Sequence, residues 1–139
     1  RMAEPERIVE FIIQHLKSGL LLANKKVLIN AGPTYERIDA VRFIGNFSTG
    51  KMGVALARQA ASLGADVTLV LGPTQHSFDL PGLNVIRVES AAEMMEACES
   101  VFDSSDFTIL SAAVADFKPK TISKQKIKAY RKKIHMIFQ

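Results

Sequence analysis

Short β-branched runs alternate with segments of helical spacing along most of this chain, and that alternation restricts the fold more than any other feature. Residues 25–31, 67–71, 85–88 and 107–112 each read as a short apolar strand bounded by glycine, proline or polar residues. Between them, residues 48–63 set Met52, Leu56 and Ala60 at helical spacing, with Gly64 where a helix-terminating glycine belongs. Ser90 and Glu93 carry the capping-box pattern, a hydroxyl and a carboxylate that satisfy exposed first-turn amides, and predict a helix to about Phe102. An earlier amphipathic helix over residues 5–18 opens on Pro5, places Ile8, Ile12 and Leu16 on one stripe and stops at Gly19. Strands joined through helices make right-handed crossovers, so the pattern predicts an α/β, Rossmann-like three-layer fold with a mostly parallel sheet. Ligands bind such sheets beyond the carboxyl ends of the strands. Loops 32–47, 72–83 and from Ala113 onward should therefore converge on one crevice, and the first is long enough to carry function.

Composition removes several function classes. With 139 residues, 47% of them hydrophobic and 23% charged, the chain fits one globular domain and not a disordered segment. No apolar run approaches the roughly 18 residues of a membrane helix, and no signal-like segment opens the chain, so no membrane partner and a cytoplasmic location are expected. A lone cysteine, Cys98, and three scattered histidines, His15, His76 and His135, give neither an internal disulfide nor metal-ligand spacing. Cys98 reads as helix packing, and the acidic stretch 89–106 as a solvated face. The net charge of +4 hides an asymmetry: from Lys118 onward there are eight Lys or Arg and no Asp or Glu. A nucleic-acid binder displays such charge on a folded face, so no nucleic-acid partner is expected and the basic stretch reads as solvated or anion-contacting. Because Arg1 stands where an initiator methionine would, the chain reads as a piece of a longer polypeptide.

Two nucleotide motifs are approached and missed. Gly45-Asn46-Phe47-Ser48-Thr49-Gly50-Lys51 matches most of a phosphate-binding P-loop, but Met52 follows where a hydroxyl must hold magnesium, and the run lies well past its strand. A dinucleotide site wants Gly-x-Gly-x-x-Gly at the first turn and an acid ending the second strand, whereas Ala31-Gly32-Pro33-Thr34 and Leu71-Gly72 stand there. What remains is a helix start rich in hydroxyls and glycine, Ser48, Thr49 and Gly50, followed by Lys51. It fits an anion site at the positive end of a helix dipole; it equally fits an ordinary cap at Ser48 with a close-packed Gly50. Arg42 and Asn46, in a loop that also holds Phe43, Ile44 and Phe47, favour the anion reading.

Four ordered motifs carry a family resemblance: Ala31-Gly32-Pro33-Thr34; residues 39–53; Ala112-Ala113-Val114-Ala115-Asp116-Phe117; and Lys126-Ile127-Lys128. Together they resemble phosphopantothenoylcysteine synthetase, the phosphopantothenate–cysteine ligase that is usually the C-terminal half of a bacterial bifunctional protein. The resemblance implies a linker helix over residues 1–24 after a flavin-dependent decarboxylase half, the N-terminal part of the synthetase domain over 25–128, and an unmatched tail over 129–139. It implies 4′-phosphopantothenate, cysteine and CTP as partners, with Mg2+, and FMN only in the decarboxylase half. Asn46 is implied to hydrogen-bond the acyl group of an acyl-cytidylate, Arg42 to support that loop, and Ser48, Thr49 and Gly50 to contact phosphate. Gly32, Leu110, Ser111, Ala112 and Asp116 are implied nucleotide contacts, the backbone reading the base and Asp116 orienting ribose or metal. Lys126 matches the first lysine of a Lys-x-Lys-Lys motif that neutralises the triphosphate. No residue is assigned as a metal ligand.

The motif breaks at Ala129, where the family has lysine, and the family domain continues beyond what this chain supplies. The expectation is a truncated form with impaired ligation, weak CTP binding and a homodimeric tendency through an uncovered sheet edge. A noncatalytic nucleotide-binding fragment and, more weakly, an NAD(P)-dependent reductase are the competing functions.

Overall fold

The computed structural model describes residues 4–75, 79–80 and 82–127. The tail expected to match nothing, 129–139, lies outside the described residues, as do His76 and His135. The elements run α1 (Pro5–Ser18), β1 (Lys26–Ala31), β2 (Tyr35–Arg37), β3 (Phe43–Gly45), α2 (Lys51–Ser62), β4 (Asp66–Leu71), β5 (Asn84–Arg87), α3 (Ala91–Phe102) and β6 (Phe107–Leu110).

Four strands form one sheet in the order β5-β4-β1-β6, every pair parallel. β1 is central and is buried at every residue from Val27 to Ala31, as an apolar run must be when helices cover both faces of a parallel sheet. Because side chains alternate along a strand, the run divides between two layers. Val27, Ile29 and Ala31 join Val67, Leu69 and Leu71 of β4 beneath Val54, Ala57 and Ala60 of α2. Leu28 and Val70 point the other way, onto Met94 of α3. Each such aliphatic side chain removed from water contributes about 1.5–3 kcal/mol. The Rossmann-like three-layer architecture is therefore present, with α2 on one face and α3 on the other.

Several boundaries differ from the sequence reading, each for a local reason. The loop at 32–47 contains an antiparallel hairpin, β2 with β3, whose three-residue strands are too short to show alternation. The helix expected from residue 48 begins at Lys51, because Gly50 occupies the left-handed region (φ 73°) and is itself the N-cap. Ser48 is thus not a cap; its amide instead closes a tight turn onto the Asn46 carbonyl. The last strand stops at Leu110 and not at 112, since the next two amides leave the ladder for a side chain described below. The capping box forms: Ser90 Oγ accepts from the Glu93 amide (3.2 Å) and Glu93 Oε2 from the Glu89 amide (2.7 Å). α1 forms over its expected span, but Ile8, Ile12 and Leu16 remain 37–69% exposed, and none of its residues enters either core cluster.

Candidate functional site

The chain leaves β1 toward β4 on one side and returns to β6 on the other, so the topological switch lies between β1 and β6. At their carboxyl ends the turn after β1 meets the segment after β6: the Ala113 amide donates to the Gly32 carbonyl (2.8 Å). Asn30, a polar residue in the otherwise apolar β1, organises this junction. Its Oδ1 accepts from the amides of Ser111 (2.7 Å) and Ala112 (2.9 Å), and Ser111 Oγ donates to the Asn30 carbonyl (2.7 Å). On the α3 side the Cys98 thiol also bonds Asn30; burial raises its pKa and that bond only partly offsets the rise. Thr34, fully buried, accepts from the Ala115 amide (2.9 Å). Four amides between residues 111 and 115 are therefore satisfied internally.

α2 starts directly over this junction. A Cβ at Gly53 would lie 2.5 Å from both the Ala31 Cβ and the Ser111 Oγ, so only glycine lets the first turn of α2 settle here. Gly32 and Gly50 are buried against one another: a Cβ on Gly50 would fall 3.3 Å from the Gly32 Cα. They shape the floor and offer no exposed surface. Asn46, Ser48 and Thr49 line a cavity of 530 Å³ with Tyr35, Phe43 and Phe47. Asn46 reaches across the crevice, its Nδ2 donating to the carbonyls of Val114 (2.9 Å) and Ala113 (3.4 Å). Leu110 falls instead in an apolar groove of 540 Å³ on the α3 face, with Met94, Cys98 and Phe102. Of the implied residues, Asn46, Ser48 and Thr49 thus line one recess and Leu110 another, and the bond from Asn46 to the carbonyl of Val114, which lines the second, links the two.

The hairpin forms one wall and is held by residues the sequence reading did not single out. Glu36, buried, accepts from the Ala91 amide (2.8 Å) and so places a carboxylate at the positive end of α3. Arg37 grips Glu89 through two bonds (2.7 and 2.8 Å), which hold the Glu89 carboxyl below the usual range. Asp39, its side chain inaccessible to solvent, pairs with Arg42 (2.5 Å); this partner first, then the Ile127 amide, keeps its pKa well below that of an ordinary aspartate. Arg42 is therefore occupied by Asp39 and by the Ile127 carbonyl (2.8 Å). Asp39 had a sequence signal: aspartate that caps the amides two and three residues on makes an Asx-turn, here to Val41 and Arg42. Asp116 and Lys126 are exposed, and neither makes an ion pair among the described residues.

A parallel sheet covered on both faces, with its polar crevice at the switch point, defines a Rossmann-like α/β protein, a class that binds ligands at the carboxyl edge of the sheet. More narrowly, the chain belongs to the family of the DNA/pantothenate metabolism flavoprotein C-terminal domain, whose model matches residues 22–139. A cysteine/cysteine sulfinic acid decarboxylase from an unknown prokaryotic organism is 53% identical over 132 residues, covering 92% of this chain and 37% of that protein. The coenzyme A biosynthesis bifunctional protein CoaBC of Bacillus subtilis (strain 168) is 52% identical over 132 residues, 92% of this chain and 32% of the relative. The crystal structure of the C-terminal domain of a CoaBC protein superposes with a TM-score of 0.67 at 50% identity, covering 73% of this chain and 50% of that one. The chain spans about a third of the length of these curated relatives. Among the described residues no helix is long and apolar enough to cross a membrane, and no group of three or more His, Cys, Asp or Glu is placed to hold a metal ion.

Proposed function

We propose that this chain supplies part of the site of a CTP-dependent phosphopantothenate–cysteine ligase in coenzyme A biosynthesis. One observation carries the reading: Asn46 spans the switch-point crevice beside Ser48 and Thr49, with its Oδ1 free of any donor among the described residues. In the reaction a carboxylate oxygen of 4′-phosphopantothenate attacks the α-phosphorus of CTP and pyrophosphate leaves. The cysteine amine then attacks the acyl carbon, loses a proton, and CMP departs with the electrons of the acyl–oxygen bond. Both steps bring anions together, so the site needs cations and amide donors more than a nucleophilic side chain.

The chain supplies both. The start of α2 has no acidic residue in its first turn and carries Lys51, which suits a phosphate group. Asn46 can release its longer bond, to Ala113, and turn that N–H to the acyl oxygen while the Val114 bond keeps the amide in plane. With the Ser111 and Ala112 amides already taken, a base must be read through the carbonyls there. Arg42 supports the loop, and Lys126 faces the triphosphate. The described residues offer no carboxylate cage for Mg2+. We place the decarboxylase chemistry named for one relative, and any FMN, in the portion of that relative which this chain does not span. In this reading residues 1–24 are a linker, 25–128 begin the synthetase domain, and two copies pair in the cytoplasm.

Calorimetric titration with CTP, ATP and NADP, alongside a pyrophosphate-release assay, tests the reading. Weak binding selective for CTP is expected. Binding of NADP alone, or of no nucleotide, overturns it.

A further inference from the structure

The two oxygens of Asp39 do different jobs. Oδ1 accepts from the Val41 and Arg42 amides (2.8 and 2.9 Å) and so makes the turn of the hairpin. Oδ2 accepts from Arg42 Nε (2.9 Å) and Nη2 (2.5 Å), and also from the amide of Ile127 (3.0 Å), 88 residues away. Arg42 Nη2 in turn donates to the Ile127 carbonyl (2.8 Å). Both backbone groups of one distant residue are thus satisfied by one ion pair, as a neighbouring strand would satisfy them. One further bond, from the Ser123 amide to the Ile38 carbonyl (3.0 Å), ties the same segment to the hairpin. No helix or strand holds residues 119–127, so these bonds are its anchorage.

A turn needs only Oδ1, and an exposed ion pair is worth little by itself. Burying Asp39 completely makes sense if its second oxygen must stay aimed at Ile127. We propose that Asp39 is a positioning residue: with Arg42 it forms a clasp on the Ile127 backbone that presents the adjacent Lys126 at the crevice. The anchorage stands on geometry alone, whereas the use made of Lys126 rests on the ligase reading above.

Amide hydrogen exchange of this chain, followed residue by residue, tests the anchorage. The Ile127 amide should exchange at least about tenfold more slowly than an unprotected one, and Asp39→Asn and Arg42→Gln should each abolish that protection while Leu28 and Ile29 in β1 stay protected. Free exchange at Ile127 in the unmodified chain, or protection that survives both substitutions, overturns the clasp. Should Asp39→Asn unfold the chain, as loss of Leu28 and Ile29 protection would reveal, Arg42→Gln decides. CTP titration then tests the positioning. Lys126→Ala should weaken binding about tenfold, and Ile127→Pro, which removes the clasped N–H and leaves every charge in place, should match it. Undiminished affinity in Ile127→Pro beside a weakened Lys126→Ala overturns the positioning role. If Lys126→Ala has no effect, the ligase reading of that lysine fails and the positioning role fails with it, whereas the exchange result still judges the clasp.

Discussion

Replacing Asn30 by alanine should destabilise the protein by about 2–4 kcal/mol, because two amides lose their acceptor at once. The Asn30 Oδ1 serves Ser111 at 2.7 Å and Ala112 at 2.9 Å, and the side chain is buried in the central strand. No backbone carbonyl replaces it, since β6 has already left the ladder at Leu110. Each amide stranded away from water costs about 1–3 kcal/mol, so the two together cost about 2–6 kcal/mol, and partial access of solvent at the junction keeps the total in the lower half of that span. Ser111→Ala removes one hydroxyl bond and leaves both amides paired, so it should cost about 1 kcal/mol. Urea unfolding of the two variants at neutral pH measures the difference. A loss below about 1 kcal/mol for Asn30→Ala, or a larger loss for Ser111→Ala, would refute the assignment of the junction to this side chain.

Other outcomes follow from the site. If the chain carries the ligase chemistry proposed above, Asn46→Asp should leave thermal stability nearly unchanged and slow attack by cysteine, so that acyl-cytidylate accumulates; rapid-quench analysis of the intermediate checks this, and normal turnover speaks against it. Asp39, Glu89 and Asp106 are all held below their usual pKa by their partners, Arg42, Arg37 and the Lys26 amide first among the causes. Depressed carboxyls stabilise the fold fully above the unfolded carboxyl range and lose that contribution as pH falls from there through their lowered folded-state pKa values, so stability should be flat near neutrality and decline below about pH 4. Asp39→Asn should shallow that decline in a pH series of unfolding midpoints, and an identical slope would exclude Asp39 as a contributor. Because β6 is an edge strand with Phe107 and Leu110 exposed, the chain should self-associate; light scattering that finds a monomer at all concentrations would remove the edge argument.

The sheet was legible because burial on both faces leaves an unmistakable trace: Val27 to Ala31 can only be an interior strand. The capping box at Ser90 was equally plain, being a local pattern with a local partner. The hairpin escaped because β3 is exposed at all three residues, so nothing alternates. Glu36 and Arg37 hold it through partners 55 and 52 positions away that leave no mark on neighbouring residues, and Asp39 adds to its local turn with Val41 and Arg42 a bond to Ile127, 88 positions on. Asn46 and the residues after β6 lie within hydrogen-bonding distance of each other, as convergence of the loops at the carboxyl ends of the strands predicts. Gly32 and Gly50 proved to be floor, and Ser48 proved not to be a cap, because a left-handed glycine cannot lie inside a helix that begins before it.

No described residue of α1 enters either core cluster, and the chain first meets the domain at Leu20, whose side chain stands over Gly64, and then where the Leu22 amide donates to the Leu63 carbonyl at 2.9 Å. Among the described residues, nothing ahead of Leu20 joins the core on either face of the sheet. Such a permissive junction lets gene fusion or recombination graft a different module onto the domain without reselecting its core. A laboratory chimaera spliced at Gly19, ahead of the Leu20 contact, should inherit the domain's unfolding midpoint whatever is attached in front.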